Sequence, residues 1–136
     1  MECIFCEIIE GKKKSFKVWE NRDFLLLLIP EQINPGHVIL IAKKHVDYIF
    51  DIKEPLYSRI FKTVKKISLI LKNITEAKRI GVAIEGFGVR HIHIHLVPVN
   101  KGNELNPERA KKVSTKRLQE MQIEFSKQFK KIKSNQ

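Results

Sequence analysis

His91-Ile92-His93-Ile94-His95-Leu96-Val97-Pro98 sets an imidazole at every second position inside a run of β-branched and aliphatic residues, which is the pattern of a β-strand. Side chains on a strand alternate between its faces. His91, His93 and His95 are therefore expected to point one way, and Ile92, Ile94 and Leu96 the other way, into a core. Pro98 has no N–H to donate and is expected to end the ladder. The outer two histidines stand about 13 Å apart along such a backbone, too far for three rings to share one metal ion comfortably, so they are expected to divide their tasks. One histidine in a strand ordinarily reads as a partly buried, hydrogen-bonded residue. Three of the chain's five in strict alternation do not, because desolvating three titratable groups on one face serves packing poorly.

Two further stretches accompany this one in order and spacing: Cys3-Ile4-Phe5-Cys6-Glu7-Ile8-Ile9, and Pro35-Gly36-His37-Val38-Ile39-Leu40-Ile41-Ala42-Lys43-Lys44-His45. Together with His-φ-His-φ-His-φ-φ, where φ is apolar, the chain resembles the histidine triad (HIT) family of nucleotide hydrolases and transferases over about residues 1 to 100.

Length and composition set the frame. A chain of 136 residues fits one domain and buries a core without staples, so 1–136 is read as a single domain. Charged residues at 30% and hydrophobic ones at 43% are ordinary for a globular protein. The balance of +11 suits phosphate-bearing ligands or nucleic acid, and equally a solvated lysine-rich surface. From 101 to 136 there are ten Lys or Arg against four Glu, which marks this stretch as a basic loop and helix extension. The first ten residues carry Glu2, Glu7 and Glu10 without a long apolar run, unlike a secretory signal. The run from Leu25 to Ile29 is too short to span a bilayer. Two cysteines two residues apart make a poor structural disulfide, and a cytoplasmic location is expected.

Along the chain, a short helix or turn is expected up to Ile9, a strand over Phe16 to Trp19, and an apolar strand over Phe24 to Ile29. A loop over Pro30 to Gly36 and a strand over Val38 to Ala42 follow, and these two strong strands are expected to pair as a hairpin. His45 to Ile52 reads as a short helix or turn. Leu56, Ile60, Val64, Ile67 and Leu71 recur at helical spacing, widened by Phe61, and mark the principal helix behind Pro55. Arg79 to Glu85 reads as a strand and Gly86-Phe87-Gly88 as the turn by which the histidine strand pairs back. Leu118, Met121, Phe125, Phe129 and Ile132 form the stripe of a C-terminal helix, suited to packing on the domain or on a second subunit. The fold class is α+β: an antiparallel sheet with one main helix and a C-terminal helix.

Cys3-x-x-Cys6 alone suits two zinc thiolates, a redox pair or two buried small residues. The resemblance implies a structural zinc held by Cys3, Cys6, His45 and His91. It further implies that the middle histidine, His93, attacks an α-phosphate and forms a nucleotidyl-histidine that water cleaves, with His95 stabilising charge on the phosphate or leaving group. Ile4, Phe5 and Ile8 match the positions on which the family packs a base, Ile8 reading equally well as core, and Arg90 is expected to meet phosphate. The resemblance also implies a purine nucleotide substrate, of the nucleoside phosphoramidate or dinucleoside polyphosphate class, and a homodimer.

Two features depart from the family. Ile29 stands where an Asp usually holds the ribose hydroxyls, and it has no side-chain acceptor. The stretch Val82 to Arg90 lacks any Asn, Gln, Ser or Thr, so the usual side-chain grip on phosphate is missing. The backbone N–H groups of Gly86 to Gly88 and the Arg90 guanidinium are the available substitutes. Glu85 reads either as an acid or base or as a solvated strand-end carboxylate. His37 follows a turn and is read as structural, off the triad's face. Two other classes of function stay open: a zinc hydrolase with a catalytic ion on two of the triad histidines, and a zinc-stabilised nucleotide or nucleic-acid binding module that uses the basic C-terminal helix.

Overall fold

A computed structural model describes residues 2–133. Its centre is a five-stranded antiparallel sheet built from β1 (Phe16–Glu20), β2 (Phe24–Leu28), β4 (Val38–Ala42), β5 (Arg79–Ala83) and β6 (His93–Val99), in the order β1-β2-β4-β6-β5. β2 and β4 pair as a hairpin from Phe24↔Ala42 to Leu28↔Val38. They lie inside the sheet with every residue buried, which is why both read as unbroken apolar runs instead of alternating ones.

Period-2 alternation splits these strands between two apolar layers. Phe24, Leu26, Leu28, Val38, Leu40, Ile94 and Leu96 face the larger layer. It is closed by α2 (Leu56–Thr75), through Ile60, Val64, Ile67 and Leu71, and by α3 (Thr115–Phe129). Leu25, Leu27, Ile39 and Ile41 face the smaller layer under α1 (Ile4–Ile9), whose Phe5 is buried there. His93 and His95 are cross-strand partners of Ile41 and Ile39, so they emerge on the α1 side while Ile94 and Leu96 enter the main core.

The basic C-terminal helix is docked on its own domain. Leu118, Met121, Phe125, Phe129 and Ile132 are all buried, Ser114 caps the helix by accepting from the Arg117 N–H at 3.1 Å, and Trp19 Nε1 donates to the Ile132 carbonyl at 3.2 Å. Each such large apolar side chain contributes about 1.5–3 kcal/mol by leaving water.

Four local expectations are corrected. Pro98 lies within β6, paired opposite Ile80. β4 ends opposite Leu96, so that side of β6 has no ladder for Pro98 to break, and the Pro98 carbonyl takes the Asn34 amide at 2.8 Å. The loop over 30–36 contains a two-residue strand, β3 (Glu31–Gln32), paired with β7 (Lys111–Lys112). β5 stops at Ala83, two residues short of Glu85. Phe61 is 39% exposed, unlike the buried stripe of α2.

Candidate active site and metal centre

The start of α1 brings two thiols over the head of the histidine strand. Cys3 occupies the N-cap, where its side chain accepts from the Cys6 N–H, so one helical turn sets both sulfurs at the same end. The segment after β4 is tied to the triad by the Ile92 N–H, which donates to the Val46 carbonyl at 2.8 Å, and this brings His45 beside His91. The ligand atoms of Cys3, Cys6, His45 and His91 all lie within 4.8 Å of one another. Cys3 Sγ and Cys6 Sγ stand 3.3 and 3.5 Å from His91 Nδ1, Cys6 Sγ stands 3.2 Å from His45 Nδ1, and the two Nδ1 atoms are 2.9 Å apart. Edges of roughly 3.3–3.8 Å are expected for tetrahedral zinc with two thiolates and two imidazoles, so the donor set is near that size. His91 is fully buried, and its Nε2–H donates to the Ala42 carbonyl at 2.6 Å. That bond leaves the Nδ1 lone pair toward the thiols, as a ligand's second nitrogen should.

One pleat further on, His93 has other surroundings. Its Nδ1–H donates to the His91 carbonyl at 2.7 Å, so Nε2 carries the lone pair. The Phe5 ring meets it edge-on with centroids 4.9 Å apart. His93 lines a cavity of about 580 Å³ together with His95 and His37.

His37 corrects the reading that set it apart from the triad. Its Nε2 lies 2.9 Å from His95 Nδ1, and its Nδ1 accepts the Ile33 N–H at 3.1 Å. With Nδ1 accepting, neutral His37 carries its proton on Nε2 and donates it to His95 Nδ1. His95 in turn holds its own proton on Nε2. Burial, then His95, lowers the His37 pKa to about 3; burial, then His93, lowers that of His95 to about 4. Both rings are uncharged at neutral pH. The strand thus presents a lone pair at one position and an N–H donor at the next, with the His93 and His95 ring centroids 5.2 Å apart. Gly36 makes the turn that aims His37: its φ is +98°, and a Cβ there would meet the Thr75 methyl at 2.7 Å. The signal for His37 was parity, since His37, Ile39 and Ile41 share a face of β4 and Ile39 pairs with His95.

Because β6 lies between β4 and β5, the cavity has two sides about the triad. On the β4 side are Phe5, Ile29, Ile33 and Ile39, with Glu31 among them. Ala83 comes from β5, Glu85, Phe87 and Val89 from the turn after it, Val89 packing on the small layer under α1, and Leu105, Pro107 and Ala110 close the rim. Of the expected base-packing residues, Phe5 lines the cavity, whereas Ile4 and Ile8 lie outside its lining, Ile4 at 44% exposure and Ile8 packed against the small layer. Arg90 also lies outside the lining. Its exposed guanidinium lies with Nη1 3.5 Å from the Asp47 carboxylate. With His91 turned to the thiols and His95 to His37, the geometry does not favour a catalytic ion on two triad histidines. Among the described residues no helix is long and apolar enough to cross a membrane.

Comparison with known proteins agrees with this geometry. The HIT domain profile matches residues 10–102. An uncharacterized HIT-like protein of Borreliella burgdorferi is 32% identical over 122 residues, covering 79% of this chain and 88% of that protein. An adenosine 5'-monophosphoramidase of Candida albicans is 34% identical over 106 residues, covering 71% and 69%. The crystal structure of a zinc-bound histidine triad family protein from Mycobacterium smegmatis superposes with a TM-score of 0.76 at 23% identity, over 96% of this chain and 97% of that one. The chain belongs to the histidine triad (HIT) family.

Proposed function

We propose that this chain is a nucleotide hydrolase or nucleotidyl transferase acting at an α-phosphate, with His93 as nucleophile. The observation that carries the reading is the pair of oppositely prepared imidazoles facing one cavity, the His93 lone pair beside the His95 N–H. His93 Nε2 forms a bond to phosphorus as the bond to the leaving group breaks, and the leaving atom takes a proton from solvent. The His95 N–H donates to a phosphoryl oxygen as charge grows on it. Water then attacks phosphorus and the P–N bond to His93 breaks. Its oxygen and one hydrogen stay with the nucleotide, its other proton goes to solvent, and neutral His93 is restored. The β4 side, with Phe5, suits a purine. The backbone N–H groups of Gly86, Phe87 and Gly88 have no acceptor among the described residues, and in the turn at Gly86, with φ +86°, they are the donors left for the phosphate.

Cys3, Cys6, His45 and His91 would hold a structural zinc, all four positions being filled by protein. It would fasten α1 to the sheet and so keep Phe5 against His93. The name of the Candida relative supports a phosphoramidate as first substrate to try. Steady hydrolysis of adenosine 5'-phosphoramidate by the wild-type chain, lost in His93→Asn, is the expected result; absence of turnover by the zinc-loaded protein would refute the reading. A homodimer fits the same picture, since β5 ends the sheet with Val82 and Leu69 exposed beside it. Sedimentation of wild type against Leu69→Lys tests it.

A further inference from the structure

The catalytic cavity holds no cation of its own. The chain carries +11, yet among the described residues no Lys or Arg lines the cavity, while Glu31 and Glu85 do. The rings of His37 and His95 are uncharged at working pH. An α-phosphate gathers negative charge as its bond to the leaving group breaks, and backbone N–H groups meet that charge with partial charges alone.

The unfinished side of the site is β5, which ends the sheet. Its pairing fixes which residues face the triad. Ala83 stands opposite His95 and Gly81 opposite Val97, so Arg79, Gly81 and Ala83 share the triad's face. Ala83 lines the cavity and Arg79 does not. Within one chain these two are four residues apart, about 13 Å along the strand. Leu105 stands between them, so close over Gly81 that a Cβ there would meet Leu105 Cδ1 at 2.9 Å. Arg79 is exposed and borders a separate hollow with Lys78 and Lys101. Among the described residues its guanidinium makes no ion pair.

An open strand edge is a template for another strand, and the side chains beside this one set how a second copy would lie. Val82, on the other face of β5, and Leu69 of α2 are both exposed. Both are covered in each copy when two β5 strands run antiparallel about a twofold axis perpendicular to the sheet. The helices then meet on one side and the triads share the other. Residues directly opposite one another keep the same face. An axis at Gly81 sets Arg79 against the partner's Ala83, and an axis at Val82 sets it against the partner's Glu85. Ala83 and Glu85 both line the catalytic cavity, so either register brings a guanidinium without an acid partner to a cavity with carboxylates and no base. Neighbouring strands lie about 4.8 Å apart, a gap that an extended arginine crosses.

We propose that the catalytic site is completed in trans: Arg79 of the partner subunit enters the triad cavity past Ala83 and grips the α-phosphate with its guanidinium fork. The inference rests on the nucleotidyl-transfer reading and on the homodimer, and adds a residue that neither supplies within one chain.

The test is subunit complementation, read as hydrolysis of adenosine 5'-phosphoramidate. Arg79→Ala is expected to lower kcat/KM about 10- to 100-fold, the size of a charged hydrogen bond, with the sedimentation coefficient unchanged, and Arg79→Lys to recover part of the loss. Where Arg79→Ala does not hold the dimer, Arg79→Gln takes its place. Mixed dimers of Arg79→Ala and His93→Asn are then isolated by two different affinity tags. One of their two sites has His93 and receives Arg79 from the other subunit, so they are expected to show about half the wild-type rate. An arginine acting within its own chain would instead leave them at or below the rate of Arg79→Ala. That result, a wild-type rate in Arg79→Ala, or failure of the two tags to copurify overturns the inference and leaves the proposed function standing. If the wild type does not hydrolyse the substrate, the proposed function fails and the inference falls with it.

Discussion

Two imidazoles two residues apart on the same side of the triad segment have opposite surroundings. His91 is closed in: its Nε2–H is held by the Ala42 carbonyl and its Nδ1 is crowded by Cys3, Cys6 and His45. His93 is left open: its Nδ1–H is held by the His91 carbonyl and the ring faces a cavity of about 580 Å³. Spacing does not separate them. The difference comes from what α1 lays over the strand: Phe5 meets both rings edge-on, while the thiols of its first turn reach His91. His91 stands just before β6, which begins at His93, so alternation carries both rings to one face while the neighbouring element sets what each ring meets.

The contrast breaks most completely at His93. His93→Asn is expected to lower kcat/KM for an adenosine phosphoramidate by about 10³-fold or more, with circular dichroism and zinc content unchanged. Next in size is the closed end. Cys3→Ser with Cys6→Ser is expected to remove zinc and to lower unfolding free energy by about 4 kcal/mol or more, the scale of losing a structural metal. Chelation of the wild type should likewise lower the melting temperature before it lowers the rate at 25 °C. A loss of rate that zinc restores without any change in melting temperature would move the metal to the open end and erase the distinction.

His37 sharpens the comparison because it makes the third ring, His95, different from both of the others. His37→Ala removes the donor that fixes the His95 proton on Nε2, and kcat is expected to fall about 10- to 100-fold with KM nearly constant, measured by steady-state kinetics. The smallest effect is on stability against pH. His37 and His95 are lowered to about 3 and about 4, whereas the same rings in the unfolded chain titrate near 6.5. Below that pH the unfolded state binds the extra protons, so their stabilisation is complete above about 6.5 and is lost as pH falls through about 4 for His95 and toward about 3 for His37. The urea midpoint should be lower at pH 5 than at pH 7, and the drop should shrink in His37→Gln.

The sheet and its two apolar layers were legible because period-2 alternation at β6 and unbroken apolar runs at β2 and β4 have few other readings. That Cys3, Cys6, His45 and His91 come together was legible only through a family resemblance, since Cys3 and His91 are 88 positions apart and no local pattern joins them. His37 was misjudged because its role depends on β4 lying next to β6, a long-range pairing that spacing along one strand does not state. β3 and β7 are two residues each, too short for any periodicity to register. Where the Arg90 guanidinium lies was not legible for a similar reason. Its place next to His91 says nothing of the direction taken by a long, exposed side chain with Asp47 in reach.

The account rests on a covalent bond between His93 and phosphorus. Brief incubation with an adenosine phosphoramidate labelled at its α-phosphorus, quenched without acid and digested for mapping, should place the label on the peptide that contains His93 and leave His93→Asn unlabelled. Label on another residue, or steady hydrolysis with no protein-bound label on any timescale down to a single turnover, would contradict it.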